Sequence, residues 1–329
     1  MSARKKIAII GAGQFGTALA TVAARAGHDV VLWARNPGIV ESIMVTREND
    51  AYLPDVVLPE TIRATEHLHD MADAAAVLLV TPAQTTRTVL AAAQSYIDPQ
   101  VPLVICSKGL EQNTGARLDE IVRDWRPEQN FALLSGPGFY DEIAADGPTA
   151  VVMAAPQLAT AEDLCRLLCT PNFRLYANDD VAGVALAGAL KNPLAIGAGL
   201  IAGAPAAHKL GENARAAFIT RGIAEITRLG LACGAQLKTF MGLAGIGDVI
   251  LTCTGARSRN YQYGYALAHG DVLPSFTVEG LPTIAAACTL SAQHGVDMPL
   301  MHALYKLCYD KWPLPDVLQE LLARPLKSE

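Results

Sequence analysis

The sequence predicts an α/β protein: an N-terminal domain built on a doubly wound parallel sheet, then a mostly helical C-terminal domain. Three observations predict it. Short β-rich apolar runs alternate with helical patterns through residues 6–177. A glycine-rich turn, Gly11-Ala12-Gly13-Gln14-Phe15-Gly16, joins the first such run to the first helical pattern. From about residue 179 the alternation gives way to helical spacing. The expected domains are therefore 1–178 and 179–329, in keeping with roughly 100–200 residues per domain.

Each element follows from its residues. "KIAII" (6–10) is apolar throughout, as a strand covered on both faces must be. The glycine turn follows, and 14–26 has helical spacing. "DVVLW" (29–33), "AVLLV" (76–80), "PLVIC" (102–106), "FALLS" (131–135) and "TAVVMA" (149–154) supply further strands, and "FRLYA" (173–177) a last one. Helical patterns at 84–95 and 115–124 separate several of them. That βαβ rhythm argues for parallel pairing. "DDVAGVALAGALKNPLAIGAGLIAGA" then opens the second domain as a helix, with Asp179 and Asp180 suited to its N-terminus. "NARAAFITRGIAEITRLGLACG" reads as a second helix, with Gly230 and Gly234 as stops.

Composition bounds the function. The chain is 51% apolar and 18% charged, which implies a sizeable core rather than disorder. Net charge is −6 and no basic run exceeds Arg4-Lys5-Lys6, so a nucleic-acid surface is not expected. A small phosphorylated substrate remains compatible, because a few local Lys and Arg residues suffice to bind one. Seven cysteines, an odd number, with no N-terminal signal core, read as reduced thiols in a cytoplasmic protein. Cys165 and Cys169 lie one helical turn apart without a third and fourth ligand, so no metal site is expected. No stretch reaches 18 apolar residues, so no membrane span is expected; the nearest, "VAGVALAGAL", ends at Lys191.

The glycine turn has the context that gives a GxGxxG meaning, after a strand and opening a helix. Gly11 permits the tight turn, Gly13 lets the backbone approach a pyrophosphate, and Gly16 lets helix and strand pack closely. Backbone N–H groups at the helix start, around Gln14 and Phe15, then face the phosphates. A Rossmann-type dinucleotide site is expected. At the end of the second strand an acid would bond the ribose 2′-hydroxyl of NAD. "VVLWARNP" offers Arg35 instead, which suits a 2′-phosphate. NADP(H) is therefore the expected preference, with NAD(H) second.

Four further polar stretches lie in glycine-rich surroundings: "CSKGLE" (106–111), "SGPGFYDEIAADGPTA" (135–150), "LKNPLAIGAG" (190–199) and "GLAGIGDVILTCTGARSRNYQYG" (242–264). With the N-terminal fingerprint, the set "GAGxxGTALA", "KGLE", "KNxxAIGAG", "NARAAxITRG" and "GxGDxxLTCT…SRN" resembles bacterial-type NAD(P)-dependent glycerol-3-phosphate dehydrogenase over nearly the whole chain. The resemblance implies interconversion of dihydroxyacetone phosphate and sn-glycerol 3-phosphate, which supplies phospholipid synthesis. It implies Lys191 as general acid/base, and Lys108 in contact with both substrate and cofactor. It implies phosphate and substrate contacts at Ser258, Arg259 and Asn260, with Arg259 also near the cofactor. It implies further cofactor contacts at Tyr140, Thr277 and Glu279, and it is compatible with a homodimer.

The chemistry stands on its own terms. Hydride addition to a ketone leaves an alkoxide, and an ammonium can stabilise that charge and donate the proton. Apolar surroundings would tune Lys191 toward that task. Lys108 follows a strand that ends on the ligand side of such a sheet. Asp248 would orient the Lys191 ammonium, bind a substrate hydroxyl, or cap a helix after Gly245-Ile246-Gly247. Asn192 would orient substrate or hold neighbouring backbone.

Two departures stand out. Family members usually read Gly-Pro-Ser/Thr/Asn-Phe-Ala in the substrate loop, and this chain reads Gly136-Pro137-Gly138-Phe139-Tyr140. Backbone contacts at Gly136 and Gly138 would survive, at a cost of about 0.5–1.5 kcal/mol for the lost side-chain bond. The segment around His208 and Lys209, ahead of "NARAA", is longer than the pattern. The competing expectations are a β-hydroxyacid dehydrogenase or ketopantoate reductase of the same architecture, and a non-catalytic NADP(H) sensor.

Overall fold

A computed structural model describes residues 4–324. Among these, eight strands form one sheet: β1 (Lys6–Ile10), β2 (Asp29–Trp33), β3 (Ile62–Thr65), β4 (Ala76–Leu79), β5 (Leu103–Ile105), β6 (Phe131–Ser135), β7 (Thr149–Ala154) and β8 (Phe173–Asn178). Their order is β3-β2-β1-β4-β5-β6-β7-β8. The chain runs outward from β1 to β3 and returns to the other side of β1 as β4, so β1 and β4 flank the switch point. Ligands of such sheets gather there, beyond the carboxyl ends of the strands.

The helices of the sheet-bearing part are α1 (Gln14–Arg25), α2 (Pro37–Thr46), α3 (Thr86–Ala93), α4 (Leu118–Trp125), α5 (Tyr140–Ala144) and α6 (Leu158–Leu168). Ile7 to Ile10 of β1 are fully buried, and Leu32, Leu78 and Val104 extend the same core. Each Ile, Leu or Val side chain among them contributes roughly 1.5–3 kcal/mol relative to exposure.

Two features differ from the sequence expectation. β3 was not anticipated. Its four residues, "IRAT", bury only Ile62 and Ala64 at the sheet edge, too short a signal to separate from loop. The sheet is also not wholly parallel: β7 runs antiparallel to β6, and β8 parallel to β7. The reason lies in α5, whose five residues span only about 8 Å. That is less than half the ~17–20 Å length of a typical strand. The chain therefore starts β7 from the edge where β6 ended.

The remaining helices are α7 (Val181–Gly203), α8 (Glu212–Ala232), α9 (Leu237–Phe240), α10 (Asp248–Cys253), α11 (Arg259–His269), α12 (Gly280–His294), α13 (Pro299–Cys308) and α14 (Leu314–Leu322). The chain divides into two compact units. One comprises the residues up to Lys108 with Leu118–Ala185, the other Gly109–Arg117 with the residues from Leu186 onward. α7 is capped by Asp180, whose Oδ1 accepts from the Gly183 N–H at 2.9 Å. α7 is also long and apolar enough to cross a membrane, but 89% of its most apolar window is buried inside the protein. Its apolarity serves a core. Of the two glycines expected to stop α8, Gly234 does so with φ +83°. Gly230 instead lies inside the helix, where a Cβ would stand 2.1 Å from the Phe240 ring.

Candidate active site

The glycine turn has the geometry of a phosphate cradle. Gly11 has φ +119°, and a Cβ there would meet the Val80 carbonyl oxygen at 2.6 Å. Gly16 approaches so closely that its Cβ would stand 1.8 Å from the Gly11 carbonyl oxygen. At Gly13 a Cβ would meet nothing within 4 Å. Gly13 is extended at the N-cap of α1 and no side chain caps it. The first N–H groups of α1, from Gln14 and Phe15, thus lack a side-chain cap beside open space. A pyrophosphate fits that arrangement through N–H donation and the helix dipole. Arg35 lies two residues past the end of β2 and is exposed.

Asn49 supports this turn and was missed from sequence. It is fully buried, and its Nδ2 donates to the Ala12 carbonyl at 2.9 Å and to Thr17 Oγ1 at 2.8 Å. It reaches back more than 30 positions, and "RENDAYLP" carries no local sign of that contact.

β1, β5 and β6 are all parallel, so the turns after them share one edge of the sheet. Lys108 leaves β5 there, and Gly136 leaves β6. Lys108 Nζ donates to the Gly136 carbonyl at 2.7 Å. Gly136 has φ +133°, and a Cβ would press on Val151 Cα at 3.0 Å. Gly138 also has little room, since its Cβ would stand 3.0 Å from Ile143 Cδ1. The space of the expected polar side chain is therefore bordered by an isoleucine. Tyr140 begins α5 and packs, half-buried, against the core of this unit.

In the second unit, folding joins residues 57 and 61 positions apart. Lys191 Nζ donates to Asp248 Oδ1 at 2.6 Å and to Thr252 Oγ1 at 2.8 Å. Thr252 Oγ1 in turn donates to Asp248 Oδ1 at 3.3 Å. The Lys191 side chain is 11% exposed and that of Asp248 1%, so Lys191 does not snorkel to solvent. Asp248 is the first residue of α10 rather than its cap, which is Gly247. Thr252 stands one turn later on the same face, as i and i+4 residues do. It too was missed, because a threonine in "ILTCT" looks like an ordinary half-buried helix residue. Burial pushes the neighbouring Cys253 thiol up to about 12, so it stays protonated beside the ion pair.

Asn192, next along α7, accepts at Oδ1 from Asn260 Nδ2 at 2.9 Å. Asn260 Oδ1 accepts from the Gly280 N–H at 2.9 Å. The two asparagines thus tie α7, α11 and the start of α12. Close approach makes this feasible: a Cβ on Gly264 would stand 2.0 Å from the Ile196 carbonyl oxygen. Ser258 is buried and caps α11, its Oγ accepting from the Tyr261 N–H at 3.4 Å. Arg259 follows as the first residue of that helix and is exposed. Glu279 directly precedes α12 and is half-buried, whereas Thr277 is exposed. Lys209 is exposed and His208 half-buried in the turn before α8.

Comparisons with known proteins match nearly the whole chain. A family model described as the N-terminus of NAD-dependent glycerol-3-phosphate dehydrogenase matches residues 6–161, and its C-terminal counterpart matches residues 180–319. The chain is 43% identical to a glycerol-3-phosphate dehydrogenase [NAD(P)+] of Parvibaculum lavamentivorans, over 99% of each chain. It is 46% identical to the protein of the same name from Gluconobacter oxydans, over the full length of both. A crystal structure of glycerol-3-phosphate dehydrogenase from Coxiella burnetii superposes with a TM-score of 0.91 at 36% identity, covering 98% of this chain and 99% of that one.

Proposed function

Since the chain belongs to the NAD-dependent glycerol-3-phosphate dehydrogenase family, we propose that it interconverts dihydroxyacetone phosphate and sn-glycerol 3-phosphate by hydride transfer with NADPH or NADH. The observation that carries the chemistry is the buried Lys191–Asp248–Thr252 cluster. A bound nicotinamide dinucleotide supplies or accepts the hydride. The protein's own task is to place the ketone and manage one proton. In reduction, Lys191 Nζ donates a proton to the carbonyl oxygen as charge develops there. In oxidation, the neutral amine takes that proton from the C2 hydroxyl. Asp248 and Thr252 fix the direction of the amine and keep it from solvent. Lys108, held by the Gly136 carbonyl, is read as a contact for substrate and cofactor.

The phosphate is read as the ligand of Arg259, with Asn260 and the N-terminus of α11 beside it. Ser258 Oγ already caps that helix, so its part is to shape the turn. Removing the guanidinium should then penalise phosphorylated substrates selectively. Arg259→Ala is expected to raise KM for dihydroxyacetone phosphate at least about tenfold, with little change for unphosphorylated dihydroxyacetone. Equal losses on both substrates would remove Arg259 from the phosphate site.

The turn after β2 favours NADP(H) over NAD(H), because Arg35 stands where an acid would read the 2′-hydroxyl. The glycerol 3-phosphate made would feed phospholipid synthesis. Seven free thiols support a reducing compartment, the cytoplasm, and a homodimer is the proposed assembly. The deciding experiment is loss of NADPH absorbance on adding dihydroxyacetone phosphate. Ketopantoate or a β-keto acid turning over in its place would support another reductase, and NADPH binding without turnover of any of these would support a sensor.

A further inference from the structure

Arg25, the last residue of α1, makes a contact that none of the roles above uses. Its Nη1 donates to the Ile143 carbonyl at 2.9 Å, and its Nη2 donates to the Ala144 carbonyl. It also lies 3.6 Å from a carboxylate oxygen of Asp146. Ile143 and Ala144 end α5, where helix carbonyls run short of intrahelical donors; the Ile143 carbonyl also accepts from the Asp146 N–H at 3.1 Å. A guanidinium fork suits two adjacent carbonyls at the negative end of a helix.

The contact continues past α5. The Ile143 side chain is buried, and its Cδ1 borders Gly138, 3.0 Å from where a Cβ would stand. Two residues earlier, the Gly136 carbonyl accepts from Lys108 Nζ at 2.7 Å. Arg25, α5, Ile143 and the 136–138 turn therefore form one packed path, entirely within the sheet-bearing unit.

We propose that Arg25 is a positioning residue for the substrate loop: by fixing α5 on α1 it holds the 136–139 turn, and with it the carbonyl on which Lys108 rests. The proposal also bears on the glycine at 138. With no side chain there to anchor the turn, the Ile143 contact and the Arg25 grip hold it. Displacement of a positioned group by about 1 Å can cost on the order of a hundredfold in rate, so a distant guanidinium can matter to the chemistry. The kinetic consequence rests on the dehydrogenase reading above; the structural consequence does not.

Two measurements on the full chain separate them, comparing wild type with Arg25→Ala and Arg25→Lys. Amide hydrogen exchange without ligand reads the loop directly. Exchange across 138–146 should quicken about tenfold or more in Arg25→Ala, while amides of β1 and the first turn of α1 stay unchanged. Steady-state kinetics should show KM for dihydroxyacetone phosphate rising about tenfold and kcat falling, with KM for NADPH unchanged. Added methylguanidinium should restore part of the loss in Arg25→Ala. Unchanged loop exchange would overturn the proposal whatever the kinetics, and so would an equal rise in both KM values. Should Arg25→Ala fail to fold, Arg25→Lys carries the same comparison, since a single ammonium cannot reproduce the fork. Faster loop exchange together with no triose-phosphate turnover by wild type would count against the dehydrogenase reading alone.

Discussion

Lys191 shows what one residue's surroundings can and cannot say in advance. A lysine inside "GALKNPLAIGAG" is anomalous enough to be singled out from sequence. Of its partners, the sequence offers Asp248 only as one of three roles and hides Thr252 altogether, because both arrive from a helix 57 and 61 positions later. Their separation in sequence carries no periodic signal, and Thr252 has no unusual neighbourhood. Lys191→Ala is expected to lower kcat by about 10²–10⁴-fold with NADPH affinity retained, read by turnover and by cofactor titration. The cost to the fold should come mainly from Asp248, left as a buried carboxylate without its cation. Arg35 belongs to the same scale. Exposed and beyond the end of β2, it should act on one phosphate only. Arg35→Ala is expected to cut kcat/KM for NADPH about tenfold and leave that for NADH unchanged. An unchanged ratio of the two would take the residue out of cofactor selection.

At the scale of elements, periodicity and end signals performed well where an element is long or fully apolar. The seven anticipated strands are all present, as are α1, α7 and α8. They failed at β3, whose four residues offer too little pattern, and at α5, whose brevity turns β7 antiparallel. The start of α13 is held by a side chain from far away in the sequence. Glu225 of α8 accepts from the Leu300 N–H at 2.9 and 3.1 Å and from the Met301 N–H at 3.3 Å. Burial pushes this carboxyl up to about 7, against the pull of those N–H groups and of Arg228, with Asp297 adding to the rise. The sign follows from proton uptake. Between about 4.5 and 7 the folded state keeps a proton that the unfolded state has released, so stability falls as pH rises through that window. The total is on the order of 3 kcal/mol. Glu225→Gln should flatten this part of the dependence of Tm on pH while retaining an acceptor for α13. A wild-type profile already flat from about pH 4.5 to 7 would show that Glu225 ionises freely there.

For the whole molecule, the chain path matters more than the boundary suggests. The segment Gly109–Arg117 leaves the sheet after Lys108, belongs with the second unit, and returns at Leu118. Leu110 is fully buried, and Gly115 packs so tightly that a Cβ would stand 3.3 Å from the Ala286 carbonyl oxygen. A fragment ending at residue 185 should therefore carry this segment without its packing partners. Trypsin is expected to cut the fragment after Lys108 or Arg117 while sparing both bonds in the full chain. Equal resistance in both would mean that 109–117 is held by the first unit alone. The sequence by itself determined the architecture, the glycine turn and the lysine to watch. Apolar runs, helix spacing and glycine requirements are local, and local physics writes them into neighbouring residues. The tertiary structure alone decided which groups meet: Lys191 with Asp248 and Thr252, Asn192 with Asn260, Lys108 with Gly136, Arg25 with the end of α5. Those pairings bring together residues from 28 to 119 positions apart, and only the packing of whole elements sets such distances.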